Sequence, residues 1–532
     1  MTELDNSVRL LLERAQAHPT KDALQIPTTW NEEHVTQYET VSYQDIVSRA
    51  RQFQLGLKQE GLKSSNRVIL MVPPSIDLYC LVVALLASGM VVVFVDPNMG
   101  LKKVLMAFND SNARMLISGK KLLRLRWLLP NLWKVKCLSV DGPGFFYRGL
   151  DVIELPLSGS LEVMPCNKEH QGLISFTSGS TGRPKGADRT QGSLWAQHEA
   201  LSAHLGGSKD DIDLTCLPVL ALHNMGNGWT TVFPAMEMGK PGSINGRLVS
   251  SQIKALGVSR ITGAPAFMER LADYALSSGE SFPSVTSITA GGAPVSQPLC
   301  RKLKDAFVNA RIEVLYGSTE AEPISGVFDD EYLSAKGKGH LVGLPVPQIQ
   351  VVAVQLPMNP DDITDSSLDT YKVKLGDVGE IVIKGKHVLK GYIDNPKANR
   401  ENKIPCDDGL VWHRTGDTGF LDEGGRIWLT GRLADVIAYQ GQYIQPYQIE
   451  MAIDALEGVR RSAIILPQHR SKPSMAVTLM PGVDEAVSLK RISETLGNNQ
   501  LSDITVHFLA EIPVDNRHNS KIDRIKLRES LA

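Results

Sequence analysis

The residues with the most chemical content run from Ser175 to Gly186: Ser-Phe-Thr-Ser-Gly-Ser-Thr-Gly-Arg-Pro-Lys-Gly. Eight of these twelve are Gly, Ser or Thr, so the segment offers closely spaced backbone N–H groups and hydroxyls. Its glycines let the backbone approach an anion, and Lys185 adds a point charge. An apolar run, Gly172 to Phe176, leads in, which predicts a loop leaving a buried strand. That is the chemistry of a cradle for nucleotide phosphates. It is not a Walker A loop, because Lys185 follows Pro184 and precedes Gly186 where that signature needs Ser or Thr. A flexible Ser/Gly linker would account for neither the strand before it nor the Pro-Lys-Gly that closes it.

Four further segments complement this loop. Ala290-Gly-Gly-Ala-Pro294 closes an apolar strand with a glycine-rich turn whose peptide edges can meet a flat purine. In Leu315-Tyr-Gly-Ser-Thr-Glu320, Tyr316 can stack on a base and Thr319 can bond a phosphate or carboxylate oxygen. Glu320 in the same segment can hold Mg²⁺. Trp412-His-Arg-Thr-Gly-Asp417 supplies an acceptor-only carboxylate suited to two ribose hydroxyls. Ile427-Trp-Leu-Thr-Gly-Arg432 supplies a guanidinium for ribose or the α-phosphate. Pro513-Val-Asp-Asn-Arg-His-Asn-Ser-Lys521 brings a cation to a polar loop, where it can stabilise charge between a carboxylate and an α-phosphate. Each alone reads equally as a turn or a solvated loop; their order along one chain gives them weight.

The elements that position these loops follow an α/β pattern. Arg67–Val72 and Met90–Val95 read as buried strands with the helical Asp77–Ala87 between them, a βαβ unit. Ala113–Ser118, Gly257–Thr262 and Val285–Gly292 repeat the pattern, which predicts layered α/β structure with ligand loops at strand C-terminal ends. After Gly343, Ile349–Gln355 and Gly379–Lys384 alternate as strands of a smaller β-rich region. A boundary is expected at Gly431-Arg432, giving a large domain over 1–431 and a small α/β domain over 432–532. At 532 residues the chain exceeds one ordinary core.

Composition sets limits on function. The chain is 42% hydrophobic and 21% charged with a net charge of -2, which gives no general attraction to nucleic acid. Cys80, Cys137, Cys166, Cys216, Cys300 and Cys406 are far apart, which predicts reduced thiols and a cytoplasmic protein. The polar start, Met1 to Asn6, does not read as a signal peptide. Leu78–Val95 carries no charge over 18 residues, but Ser88-Gly89 divides it, so a buried helix and strand are expected rather than a membrane span. There is no G-x-S-x-G elbow, no H-E-x-x-H or Cys/His cluster, and no G-x-G-x-x-G opening a helix after a strand. A hydrolase, a structural metal and a dinucleotide dehydrogenase are therefore not expected.

One stretch is anomalous. Lys120 to Lys136 holds six basic residues, no acid, Trp127 and Trp133. The favoured reading is an amphipathic surface helix with its Leu and Trp turned to the core; the alternative is a dock for an acidic carrier protein or a lipid surface.

Taken in order, these segments resemble the acyl-adenylate-forming superfamily of acyl-CoA synthetases, luciferases and peptide-synthetase adenylation domains, from about Val41 to Leu527. The resemblance implies a large N-terminal domain of layered α/β and β-rich parts and a mobile C-terminal domain hinged just after Arg432. It implies ATP, Mg²⁺ and a small-molecule carboxylic acid as reactants. Thr177, Ser178, Gly179, Ser180, Thr181, Gly182 and Lys185 would form the phosphate loop. Gly292, Ala293, Pro294 and Tyr316, with Gly317 beside it, would hold the adenine end of ATP. Asp417 and Arg432 would take the ribose side, Thr319 and Glu320 phosphate and Mg²⁺, and Lys521 the adenylation step. His223, Asn224 and Gly291 would border the acyl pocket. Leu217 to Gly226 and Trp229 offer that pocket an apolar wall, which favours an acid with a hydrocarbon tail.

Several segments resemble one branch, the ATP-dependent β-lactone synthetases of bacterial olefin biosynthesis. These are Met71–Asp77, Asp96–Gly100, Thr230–Met236 and above all the loop in which Lys521 follows Ser520, eight residues after Pro513. In common acyl-CoA synthetases that Lys follows Gly and lies six residues after the Pro. The branch implies activation of a 3-hydroxy fatty acid and displacement of AMP by the substrate's own hydroxyl. Gly431–Asp435 and Gly441–Glu450 resemble the general superfamily instead, while Ala434, Gln191 and Ala438 depart from its usual residues. A ligase passing the acyl group to CoA or to an acyl carrier protein thiol is thus the second expectation, and a nucleotide-binding module without catalysis a third.

Overall fold

Ser75 caps the helix Ile76–Ala87, its hydroxyl accepting from the Leu78 N–H at 3.2 Å, and only Asp77 among the helix residues escapes burial. Asp77 is matched by Arg49 at 2.7 Å. The helix stops at Ser88 and Gly89, where φ of +63° suits glycine, and the buried strand Val91–Val95 follows. The uncharged stretch is thus a core helix and a core strand, and among the described residues no helix is long and apolar enough to cross a membrane. The structure, a computed structural model, describes residues 6–145, 147–177, 183–356, 363–514 and 521–531. Ser178, Gly179, Ser180, Thr181 and Gly182 of the expected phosphate loop, and 515–520 ahead of Lys521, lie outside them.

That helix covers a seven-stranded sheet. Its order is Arg148–Gly149, Lys136–Ser139, Met115–Ser118, Arg67–Met71, Val91–Val95, Gln171–Thr177 and Lys185–Thr190. All neighbours are parallel except the last pair, an antiparallel hairpin. Alternate residues serve two cores: Val68, Leu70 and Val92 join one cluster, and Ile69, Val91 and Val93 the other.

The second, larger sheet has a parallel centre formed by Asp22–Trp30, Thr230–Val232, Ile212–Thr215, Arg260–Gly263, Ser287–Gly291 and Arg311–Ser318. Antiparallel pairing then takes over through Ala321–Phe328, His340–Pro345, Ile427–Arg432, Val411–Leu421, Gly379–Gly385 and Ile349–Val354. The β-rich region after Gly343 is therefore hydrogen-bonded into the same sheet as the α/β part. Beyond Arg432 lie a short ribbon, Ile437–Tyr439 with Gln442–Ile444, and a three-stranded sheet of Val459–Ile465, Ser474–Leu479 and Thr505–Phe508. Ile437, Ile453, Ile464, Met475 and Ile492 share one cluster there. Buried Arg524 ties the last helix, Arg524–Ser530, to Glu450 at 2.8 Å and to Asp435 at 3.3 Å. All six cysteines are free thiols, and every one but Cys406 is buried.

The basic stretch departs from the expected helix, forming one four-residue turn of helix, Lys120–Leu123, and two single 3-10 turns, Arg126–Leu128 and Pro130–Leu132. Leu123, Leu129 and Leu132 do face the core, but Trp127 and Trp133 do not; they stand out into solvent.

Candidate active site

The expected nucleotide residues gather where strands of the two sheets end. The hairpin of Val411–Leu421 and Ile427–Arg432 sets Asp417 directly opposite Arg432. Arg432 donates to Asp417 Oδ1 at 2.6 Å, and the Tyr316 hydroxyl donates to Oδ2 at 2.7 Å. Each carboxylate oxygen thus holds one donor and keeps lone-pair capacity for ribose hydroxyls. Burial pushes the Tyr316 phenol well above its ordinary range, with Asp417 adding to the shift, so it remains a donor. The support beneath is rigid. Arg414 and Glu380 form a buried ion pair through two bonds of 2.9 and 2.6 Å, and Thr415 donates to the Ile381 carbonyl at 2.7 Å.

The glycine-rich turn lies alongside. Gly291 pairs with Leu315 in parallel register, one residue before Tyr316. A Cβ at Gly291 would stand 3.0 Å from the Leu315 carbonyl oxygen, and Gly292 has φ +81°. Gly292 favours glycine by its backbone and Gly291 leaves a side chain little room, and the turn leads through Ala293 to an exposed Pro294. A Cβ at Gly317 would sit 3.2 Å from the Ala321 carbonyl oxygen, so the backbone is tightly doubled there too.

At the phosphate end, Thr177 pairs with Lys185 across the hairpin that bounds the loop. The Lys185 ammonium lies 5.2 Å from the centre of the Tyr392 ring, and the Lys403 ammonium 5.4 Å from it. The Tyr392 hydroxyl donates to Glu320 Oε1 at 2.7 Å. Leu389 links the same residues, its N–H donating to the Glu320 carbonyl and its own carbonyl accepting from Lys403. Arg189 donates to the Thr319 carbonyl at 2.6 Å and to the Ser175 hydroxyl at 2.8 Å, joining the two sheets.

The charges in this cluster are coupled. Burial pulls the Lys403 ammonium down to about 7 although Glu320 opposes it, and nearby Lys185 adds to the fall. Burial, followed by Lys403, pushes His413 down to about 3, so its ring is neutral. Burial works against ionisation of Glu320, but the His413 ring where acid protonates it, the Tyr392 hydroxyl and Lys403 outweigh it and hold the carboxyl below the usual range. Among the described residues no group of three or more His, Cys, Asp or Glu could hold a metal by itself. A single ionised carboxylate suits Mg²⁺, which commonly takes one or two carboxylates together with substrate phosphates.

The expected acyl residues sit further along the larger sheet. His223 and Asn224 lie on the helix Leu220–Asn227, after the strand Ile212–Thr215, two strands from the one ending in Gly291. The Asn224 amide is committed to Asp213 at 2.8 Å and Thr231 at 3.2 Å. His223 accepts from Asn227 at 2.9 Å, packs 4.9 Å from the His198 ring, and has a buried Nδ1 with no partner among the described residues. Lys521 is exposed and precedes Ile522, which bridges to Val514.

Sequence reasoning assigned nothing to Arg189, Tyr392 or Lys403, and quoted His413 without a role. Arg189 lies three residues beyond the Ser/Gly-rich loop, and Lys403 in a run of polar residues, Asn399 to Lys403. The only local hint at Tyr392 is an aromatic after Lys-Gly in a turn.

Comparison with known proteins identifies the family. The chain is 28% identical to the olefin beta-lactone synthetase of Xanthomonas campestris pv. campestris, over 99% of this chain and 97% of that one. It is 24% identical to the 2-succinylbenzoate–CoA ligase of Listeria monocytogenes, over 92% and 94% of the two chains. The solved structure of ATP-bound MatB from Rhodopseudomonas palustris shares the fold with a TM-score of 0.78 and 22% identity, over 99% and 98%. The AMP-binding enzyme family matches residues 11–393. With nearly three-quarters of its length so matched, the chain belongs to the AMP-binding enzyme family and is an adenylate-forming enzyme.

Proposed function

We propose that the protein activates a 3-hydroxy fatty acid with ATP and closes the resulting acyl-AMP to a β-lactone without CoA. The observation that carries the first half is the joining of Asp417, Tyr316 and Arg432 at one end of the site to Glu320, Tyr392, Lys403 and Lys185 at the other. One end is built for ribose hydroxyls and the other for phosphates. Full-length similarity to olefin beta-lactone synthetases supports the second half.

In the first step a carboxylate oxygen attacks the α-phosphorus in line and the bond to pyrophosphate breaks. Lys185 and the loop hydroxyls receive the leaving charge, and Lys521 meets the approaching carboxylate and α-phosphate. Mg²⁺ held by Glu320 would supply further positive charge to the pyrophosphate oxygens. Asp417 fixes the ribose, Gly292 to Pro294 with Tyr316 bound the purine, and Thr319 bonds a phosphate or carboxylate oxygen. In the second step the substrate's 3-hydroxyl oxygen attacks the acyl carbon, the bond from that carbon to the AMP phosphate oxygen breaks, AMP leaves, and the hydroxyl proton passes to solvent. Nucleophile and mixed anhydride share one molecule, so the reaction has the advantage of high effective molarity. The buried His223, Asn224 and Gly291 border the acyl chain in this reading, and the segment after Arg432 moves as a separate domain.

A thioester-forming ligase is the second reading, favoured by the ribbon and helix over Gly441–Glu450 and by similarity to CoA ligases. Mass spectrometry of products from ATP, Mg²⁺ and a 3-hydroxy fatty acid, with and without CoA, separates them. A CoA-independent product one water lighter than the acid, with the infrared carbonyl band of a four-membered lactone, is the expected result. Product formed only with CoA and carrying the thioester mass would reject lactone closure.

A further inference from the structure

The crossover between the strands Met115–Ser118 and Lys136–Ser139 is built to hold apolar groups outward. Leu123, Leu129 and Leu132 anchor it in the core. Between and beyond those anchors, Leu125, Trp127, Leu128 and Trp133 are 41%, 59%, 53% and 61% exposed, four large apolar side chains standing out within one short stretch. They are not fraying. The Arg126 guanidinium donates to the carbonyls of Leu132 at 3.1 Å, Trp133 at 3.2 Å and Val135 at 3.0 Å. The Trp133 indole N–H returns a bond to the Arg126 carbonyl at 3.1 Å. Two single turns, Arg126–Leu128 and Pro130–Leu132, are thereby stapled into one projecting unit.

The charges around it are mainly positive. Lys120, Lys121, Arg124 and Lys134 are exposed, and none forms an ion pair among the described residues. Of the acids near the segment, Glu60 is taken by Lys136 and Arg148, and Asp141 accepts from the Lys120 N–H. The helix Leu101–Ser111, packed on the same cluster, adds Lys102 and Lys103 in its first turn. The whole chain is slightly acidic, so this field is local.

We propose that this segment docks the enzyme on an anionic phospholipid bilayer. Indoles project at headgroup level with leucines between them, and lysines and arginine meet the phosphates, which is the pattern of an interfacial anchor. An acidic protein partner would use the cations but would leave four projecting apolar groups to be accommodated. The proposal is independent of which acid the enzyme activates.

The test is co-sedimentation of the full chain with vesicles of phosphatidylcholine alone or with phosphatidylglycerol, at low and high salt. Binding is expected only to the anionic vesicles and is expected to fall with salt. Lys121→Glu with Arg124→Glu should weaken it on the order of 30-fold, and Trp127→Ala with Trp133→Ala on the order of 10-fold. Both variants should keep parental ATP–pyrophosphate exchange, which establishes that they fold. As a measurement needing no variant, brominated lipid should quench tryptophan emission of the parent on anionic vesicles. Absence of binding to anionic vesicles at low salt overturns the proposal, as does equal binding by the variants. Capture of an acyl carrier protein through these residues, without vesicle binding, would replace the bilayer with a protein partner and equally overturn it.

Discussion

Replacing Tyr392 by Phe removes one hydroxyl from the centre of the site and leaves the ring in place. That hydroxyl donates to Glu320 Oε1 at 2.7 Å in a part-buried setting. A hydrogen bond to a charged group contributes about 1.5–3 kcal/mol. If Glu320 acts only when so oriented, that loss slows adenylation by about 10- to 150-fold. The ring contacts to Lys185 and Lys403, at 5.2 and 5.4 Å, survive in Y392F, so the substitution isolates the hydroxyl. ATP–pyrophosphate exchange across an Mg²⁺ titration reads the rate, with urea unfolding alongside to separate folding from function. A cycle with Glu320→Gln then asks whether the hydroxyl works through that carboxylate. The cost of Y392F should largely vanish in the E320Q background, because interacting groups are not additive. Exchange within about twofold of the parent, or an equal cost in both backgrounds, would refute the reasoning.

Three other outcomes are expected. Lys521→Ala should cut adenylate formation by about 10²- to 10³-fold while ATP binding by calorimetry stays within a few-fold, and near-parental exchange would reject the role given to Lys521. Glu380→Ala strands Arg414 in a buried pair and should cost about 3–5 kcal/mol in urea unfolding, with a loss below about 1 kcal/mol counting against it. The third concerns pH. Burial, with His198 and Arg260 adding, pushes His223 down to about 3. An unfolded histidine titrates near 6.5, so below that pH only the unfolded chain gains this proton and stability is lost as pH falls. The share of His223 between pH 6.5 and 5 is about 2 kcal/mol. His223→Phe should narrow the gap between urea midpoints at pH 7 and pH 5 by that share, and an unchanged gap would contradict the assignment.

Much of this architecture was legible because local chemistry forces it. The uncharged Leu78–Val95 could only be buried, and Ser88-Gly89 marked the place where helix gives way to strand. The glycine turn at Gly291-Gly292 and the Asp417 and Arg432 pair were readable from residue type and order, although nothing local revealed that one β-ladder sets the last two face to face. Tyr392 and Lys403 were invisible for a physical reason. They become part of the site only through a contact spanning 72 residues, from Tyr392 to Glu320, and a side chain's burial is decided by its neighbours in space. Trp127 and Trp133 were misread because hydrophobicity predicts burial on average, and an outward indole differs from an inward one only in what the backbone staples around it.

A helix with no face for solvent must wait for its cover. On the ribosome, Ile76–Ala87 finds its first cover in its neighbours along the chain, the preceding helix Tyr43–Gln59 and the following strand Val91–Val95. Its Tyr79 hydroxyl must wait for the Pro218 carbonyl, 139 residues later, and its ring for Phe233 beyond that. At about 5–20 residues per second, that leaves a greasy, unfinished surface outside the exit tunnel for roughly 7 to 30 s. Over that interval the nascent chain is a client for holdase chaperones, and synthesis speed and temperature, more than the stability of the finished enzyme, govern how much of it reaches the native state.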